Sequence, residues 1–163
     1  MDSRRLQLFA IIALGALASC NNSTGVDDDP LAAGDGLVTI QSTRSFDETF
    51  NRLVSAIEAN PALSIVAVVD HAAGAERVGM QLPPNRLILV GNPAQGTPLI
   101  QSDKITGIDL PQKFLVFQEN DGRVLVTYND PTYLARRHHI DGQDAALQQI
   151  STGLRNLAEG ATR

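Results

Sequence analysis

Two histidine-bearing segments hold the most reactive side chains of this sequence. Asp70-His71 directly follows the apolar run Ser64 to Val69, and a carboxylate beside an imidazole is the pairing that orients a general base or a metal ligand. Arg136-Arg137-His138-His139 is a compact group of basic side chains. Tyr128, Asn129 and Asp130 precede Pro131 and offer a phenol, an amide and a carboxylate at a strand end. Asn92, in Gly91-Asn92-Pro93, stands where backbone N–H groups at a helix start can meet an anion, and Asp109 precedes Leu110-Pro111 at a turn. The candidates for acid–base work are therefore Asp70, His71 and Tyr128, those for ligand binding Asn92, Asp109 and Asn129, and those for metal or haem His71, His138 and His139.

Each of these has a plainer structural role beside it. Asp70 reads equally as a helix N-cap with His71 in the first turn, and Asn92 as a cap with Pro93 at the first helical position. Asn129 and Asp130 are ordinary turn residues before a proline. The Arg-His group reads as a surface basic patch, and neighbouring side chains on a helix diverge by about 100°, so His138 and His139 do not share one ion.

The elements that must position these groups follow from periodicity. Leu37 to Gln41 alternates as a strand, and Ser45 with Glu48 forms a capping box opening a helix whose face is Phe46, Phe50, Leu53 and Ile57, stopped by Asn60-Pro61. Ser64 to Val69 is β-branched and reads as a strand buried on both faces, with a short helix after Asp70 that breaks near Gly79. Arg86 to Val90 is a strand, followed by a short helix or irregular segment through Gln101. Lys113 to Glu119 and Arg123 to Asn129 form a hairpin around Asn120-Asp121-Gly122, where glycine takes a positive φ. Thr132 to His138 makes one or two turns, and Asp144 to Glu159 is a closing helix with a stripe of Leu147, Ile150, Leu154 and Leu157, ended by Gly160. The order is β-α-β-(α)-β-(α)-β-β-α, an α+β fold of two layers with helices on one face of a mainly antiparallel sheet.

Composition narrows the function classes. A chain of 163 residues with a formal charge of −5 holds one domain and lacks the Lys/Arg surplus that nucleic acid requires. Aromatic residues are 4% and tryptophan is absent, which leaves no base-stacking platform. Gly-x-Ser-x-Gly, His-Glu-x-x-His and a Cys-His pairing are missing, so serine hydrolase, zincin and thiol chemistry lose their markers. No cofactor is expected. An edge strand leaves room for a homodimer.

The first twenty residues read as an address. Arg4 and Arg5 precede an apolar stretch from Leu6 to Leu17, too short for the roughly 20 residues of a spanning helix. Leu17-Ala18-Ser19-Cys20 resembles the bacterial lipobox, which makes residues 1–19 a signal peptide and Cys20 the acylated, palmitate-bearing first residue of the mature chain. Loss of Asp2, Arg4 and Arg5 with the signal shifts the formal charge from −5 to −6. Residues 20–36 form the anchor and a polar tether, 37–163 the folded domain. Asn21 after the cysteine mildly favours the outer over the inner membrane, with the domain facing the periplasm.

Several short motifs then occur in register: Asp70-His71-Ala72-Ala73, Leu82-Pro83-Pro84-Asn85-Arg86-Leu87, Val90-Gly91-Asn92-Pro93, Gly96-Thr97-Pro98-Leu99, Asp109-Leu110-Pro111, and Asp121-Gly122 with Tyr128-Asn129-Asp130-Pro131. Over about Val38 to His139 the chain resembles the domain of unknown function 302 family. The resemblance implies a small α+β domain with an architecture like that of the TATA-box-binding protein, and it brings no reaction with it. The functional expectation is a lipid-anchored envelope protein with a non-catalytic domain that binds a small ligand or a partner protein. The alternatives are an enzyme using Asp70 and His71, and metal or haem binding through the histidines.

Overall fold

The computed structural model describes residues 36–163. The expected signal peptide, Cys20 and nearly all of the expected tether lie outside the described residues. Five strands form one sheet: β1 (Leu37–Ser42), β2 (Ser64–Asp70), β3 (Asn85–Gly91), β4 (Gln112–Gln118) and β5 (Val124–Asn129). Their order is β1-β5-β4-β3-β2, and every neighbouring pair is antiparallel. Between them lie α1 (Phe46–Glu58), α2 (His71–Arg77), α3 (Pro93–Ser102) with a 3-10 turn at Lys104–Ile108, α4 (Pro131–Arg137) and α5 (Asp144–Thr162). The α+β expectation holds, with the sheet antiparallel throughout.

One face of the sheet meets the two long helices. Strand alternation sends Ile88 and Val90, Phe114 and Val116, and Val124, Val126 and Tyr128 to the same side, where α1 supplies Phe46, Phe50, Leu53 and Ile57 and α5 supplies Leu147, Ile150 and Leu154. Full burial of each such side chain stabilises the fold by roughly 1.5–3 kcal/mol. The Ser45 Oγ accepts from the Glu48 N–H at 3.3 Å, so the cap forms, but the Glu48 carboxylate turns to Arg44 instead of closing the box.

Two expectations need correction. β2 is an edge strand, not a strand buried on both faces: Val66 is 58% exposed, Val68 47% and Val69 41%. A β-branched run satisfies an edge as well as a centre, and a bulge between Ile65 and Ala67 breaks the regular pairing there. Gly160 does not end α5, which continues to Thr162. The reason is tertiary, since Ala161 and Thr162 are buried and the Thr162 carbonyl accepts from the Thr43 N–H at 3.0 Å, holding the last turn against the end of β1.

Gly36 starts the described chain at φ +71°, with the Tyr133 ring 2.5 Å from where a Cβ would stand. Only glycine allows both the backbone turn and that close approach. Its carbonyl accepts from the Asp130 N–H at 2.8 Å and ties the start of β1 to α4.

Candidate functional site

Asp70 and His71 stand at the free end of the edge strand. The Asp70 carboxylate accepts from the Ala73 N–H at 2.9 Å as the cap of α2 and from the Arg86 guanidinium at 2.8 Å. These two contacts hold its pKa below the usual carboxylate value, the backbone hydrogen bond first and the arginine second. Arg86 also reaches Asp47 at 3.2 Å and lies 5.1 Å from the ring centroids of both Phe46 and Phe50. The carboxylate is thus engaged in fastening α1 and α2 to the sheet. His71 follows it in the exposed first residue of α2.

Tyr128 lies elsewhere. It is 4% exposed in the core, edge-on to Phe114 with centroids 5.4 Å apart, and burial raises its pKa. β5 and β2 are separated by β4 and β3, so three strand spacings, about 14 Å, stand between Tyr128 and Asp70. The proposed acid–base trio does not converge. Asn129 ends β5 opposite Leu37, next to Tyr128 in the chain but on the other face of the sheet, and as far as Tyr128 from the strand of Asp70.

The structure forms a different Asp–His pair. The His138 Nε2–H donates to Asp109 Oδ2 at 2.5 Å, with His138 4% exposed and Arg137 3.4 Å from the same oxygen. His138 is therefore interior, a correction to the surface basic patch. Lys113 completes the cluster by donating to the carbonyls of Asp109 and Pro111 at 2.7 and 3.1 Å, and burial lowers its pKa against the opposing pull of Asp109. The four side chains pin the turn that contains the cis Leu110-Pro111 bond. His139 departs from helical geometry at φ +50° and borders a separate shallow cleft with Arg136, Asp141 and Asp144. Among the described residues no group of three or more His, Cys, Asp or Glu could hold a metal ion.

On the other side of that pinned turn lies a cleft of about 600 Å³, bounded by the end of α1, the start of α3, the middle of α5 and the Leu110-Pro111 turn. Its volume falls within the roughly 300–1,000 Å³ of small-molecule sites. The floor is apolar, with Val90, Ile150 and Leu154 buried at its base and Leu63, Ile100 and Leu157 on its walls. The polar groups are neutral: Asn60, Asn92, Gln95, Gln112, Gln149 and Asn156 supply carboxamides and Thr97 a hydroxyl. Among the described residues, no ionisable side chain lines this cleft. Asn92 belongs to it but has its amide occupied, accepting from the Gln95 N–H at 3.3 Å and donating to Gln95 Oε1 at 3.0 Å. Asp109 lies behind the wall.

Comparison with known proteins agrees with this fold. The family model described as "Domain of unknown function DUF302" matches residues 38–157. The chain belongs to the DUF302 family. The match runs on through most of α5, beyond the motifs noted in the sequence. The crystal structure of an uncharacterized conserved DUF302 protein from Bacillus stearothermophilus superimposes with a TM-score of 0.70 at 19% identity, covering 80% of this chain and 100% of that one. Among curated proteins, the fluoride-specific ion channel FluC 1 of Brucella suis biovar 1 is 41% identical over 119 residues, 72% of this chain and 46% of the channel. FluC 1 of Brucella abortus biovar 1 shows the same identity over 44% of its length. The chain therefore spans less than half of the curated relatives it matches.

In this DUF302 domain the residues that build the cleft were almost all overlooked by sequence reasoning. Amides and aliphatic side chains have no signature of their own, and Asn92 alone of the cleft's carboxamides stands out in the sequence, as a cap and as a ligand-binding candidate. Gly153 left a usable trace: a glycine in the interior of a helix costs about 1 kcal/mol relative to alanine. A Cβ at Gly153 would meet nothing within 4 Å, so packing does not require the glycine. Gly153 faces the cleft, and its missing side chain leaves the mouth wider.

Proposed function

We propose that this domain is a non-catalytic binding module that takes up an uncharged, mainly apolar small molecule in the cleft between α1, α3 and α5. The observation that carries the reading is that, among the described residues, no ionisable side chain lines this cleft of about 600 Å³. Proton transfer needs a titratable group within hydrogen-bond reach of substrate, and a charged ligand needs a counter-charge to replace its water. An apolar floor with a neutral amide rim suits a molecule that has neither requirement. The Asp70 and Asp109 carboxylates support the same reading, because both already serve ion pairs and hydrogen bonds of the fold.

The domain is further proposed to work at the bacterial envelope, facing the periplasm and held by a lipid on Cys20, with the outer membrane favoured. The Leu17-Ala18-Ser19-Cys20 sequence supports this, and labelled palmitate that enters the wild-type chain but not Cys20→Ala is the expected result. The relatives named as fluoride channels are consistent with a module that works beside a membrane. Among the described residues no helix is long and apolar enough to cross one, and the channel name belongs to those longer chains.

Nile red, an uncharged dye without a hydrogen-bond donor, tests the cleft. The purified chain is expected to bind it with a fluorescence increase. Gly153→Phe, whose Cβ meets nothing within 4 Å and whose ring is placed to occupy the mouth, is expected to weaken binding more than about tenfold with the melting temperature preserved. Equal dye binding by the wild type and this variant would remove the cleft as the site.

A further inference from the structure

Most carboxamides around the cleft already have partners or water. Asn92 and Gln95 bond to each other, Asn60 Oδ1 accepts from the Ala62 N–H at 3.0 Å, and Gln149 and Asn156 are exposed at the rim. Gln112 differs. It opens β4 in register with the buried Val90, on the floor side of the cleft, and its Oε1 is shut off from solvent without a hydrogen-bond partner. An acceptor removed from water and left unpaired is costly, and buried polar groups of this kind call for a donor. The terminal torsion of a glutamine has a broad minimum, and because Gln112 lines the cleft, rotation about that torsion can bring its oxygen to a ligand there.

Resting on the binding function proposed above, we infer that the ligand is an uncharged molecule with an apolar body and one hydrogen-bond donor, an alcohol or amide N–H, and that Gln112 is the residue that selects it. The apolar floor takes the hydrocarbon portion, and the Gln112 carbonyl accepts from the hydroxyl or N–H. Among the described residues no charge in the lining attracts an acid or an amine, so selectivity rests on the donor. A ligand of the same size without a donor leaves the Gln112 oxygen unpaired and binds more weakly.

The test is displacement of Nile red from the purified chain by two isomers of equal size, decan-1-ol and nonyl methyl ether, which differ in having or lacking the donor. The alcohol is expected to compete about five- to tenfold more strongly, the ratio that one neutral hydrogen bond of ordinary strength provides. In Gln112→Met, similar in length and without the amide acceptor, the ratio is expected to fall to about one through weaker competition by the alcohol, each competitor being measured against the variant's own dye affinity. Equal competition by the two isomers in the wild type would overturn the inference, and needs no variant to fold. A preference for the alcohol that persists in Gln112→Met would overturn it too. Both outcomes leave the cleft standing as a binding site, whereas wild-type protein that fails to bind Nile red refutes the binding function itself.

Discussion

The two ends of β3 meet opposite fates. At Arg86 the strand enters a corner crowded with chemistry, where one guanidinium serves Asp70, Asp47 and the faces of Phe46 and Phe50. Four residues on, at Val90 and Gly91, the same strand opens into a cleft without an ionisable lining side chain among the described residues. The corner holds reactive residue types that have closed on one another. The cleft holds inert types that leave room for something else. Reactivity of side chains and availability for function are separate properties, and in this domain they occupy separate places.

The cluster behind the cleft wall stands between these extremes, and breaking it is expected to have the largest effect. His138→Ala removes the imidazole from a buried hydrogen bond and leaves the Asp109 carboxylate with the half-exposed Arg137 and the nearby Lys113 as its counter-charges. A loss of about 2–3 kcal/mol in urea unfolding is expected. Because Asp109 anchors the Leu110-Pro111 wall, Nile red binding should weaken as well. Arg86→Met sharpens the contrast from the other end. It removes two partly exposed ion pairs and two cation–π contacts, an expected cost of about 1–2 kcal/mol, yet dye affinity should be unchanged. Equal dye affinity in both variants would show that the wall does not depend on the cluster.

A smaller effect of opposite sign is expected at the mouth of the cleft. Gly153→Ala should stabilise the domain by about 0.5–1 kcal/mol, since a helix interior prefers alanine and the new methyl group meets nothing. Dye affinity should change by less than about twofold, because one methyl group narrows the mouth without filling it. A destabilised variant would mean that the glycine serves the backbone rather than the opening.

What the sequence made legible was local. The capping residues Ser45, Asp70 and Asn92, the apolar stripes of α1 and α5, and the glycine of the hairpin each rest on interactions within a few residues, and each appears in the structure. What it concealed was long-range. Asp109 and His138 pair across 29 positions, whereas the carboxylate and imidazole that stand side by side in the sequence are Asp70 and His71. The β-branched residues of β2 were compatible with either a central or an edge position, because the strand pattern does not encode its neighbours. The cleft is assembled from three helices and a turn, and its amides carry no spacing that could announce them.

The smallest of the expected effects concerns acid, and it separates the corner from the cleft by pH alone. Contacts with Ala73 and Arg86 hold the folded Asp70 carboxyl below its ordinary pKa of 3.8. A proton therefore binds the unfolded chain more readily, and the stability this carboxylate contributes is present above its unfolded pKa and lost as pH falls through the lower folded value. Asp70→Asn keeps an oxygen that can accept from Ala73 but has no charge for Arg86. The variant is expected to be less stable than the wild type near neutrality, with the gap closing as the pH drops below 3.8. Urea unfolding at a series of acidic pH values measures that gap. A gap that stays constant into strong acid would mean that the Asp70 charge contributes nothing and that shape alone holds the corner. Dye affinity at neutral pH should be the same in both proteins, since among the described residues the cleft lining carries no charge for the corner to disturb.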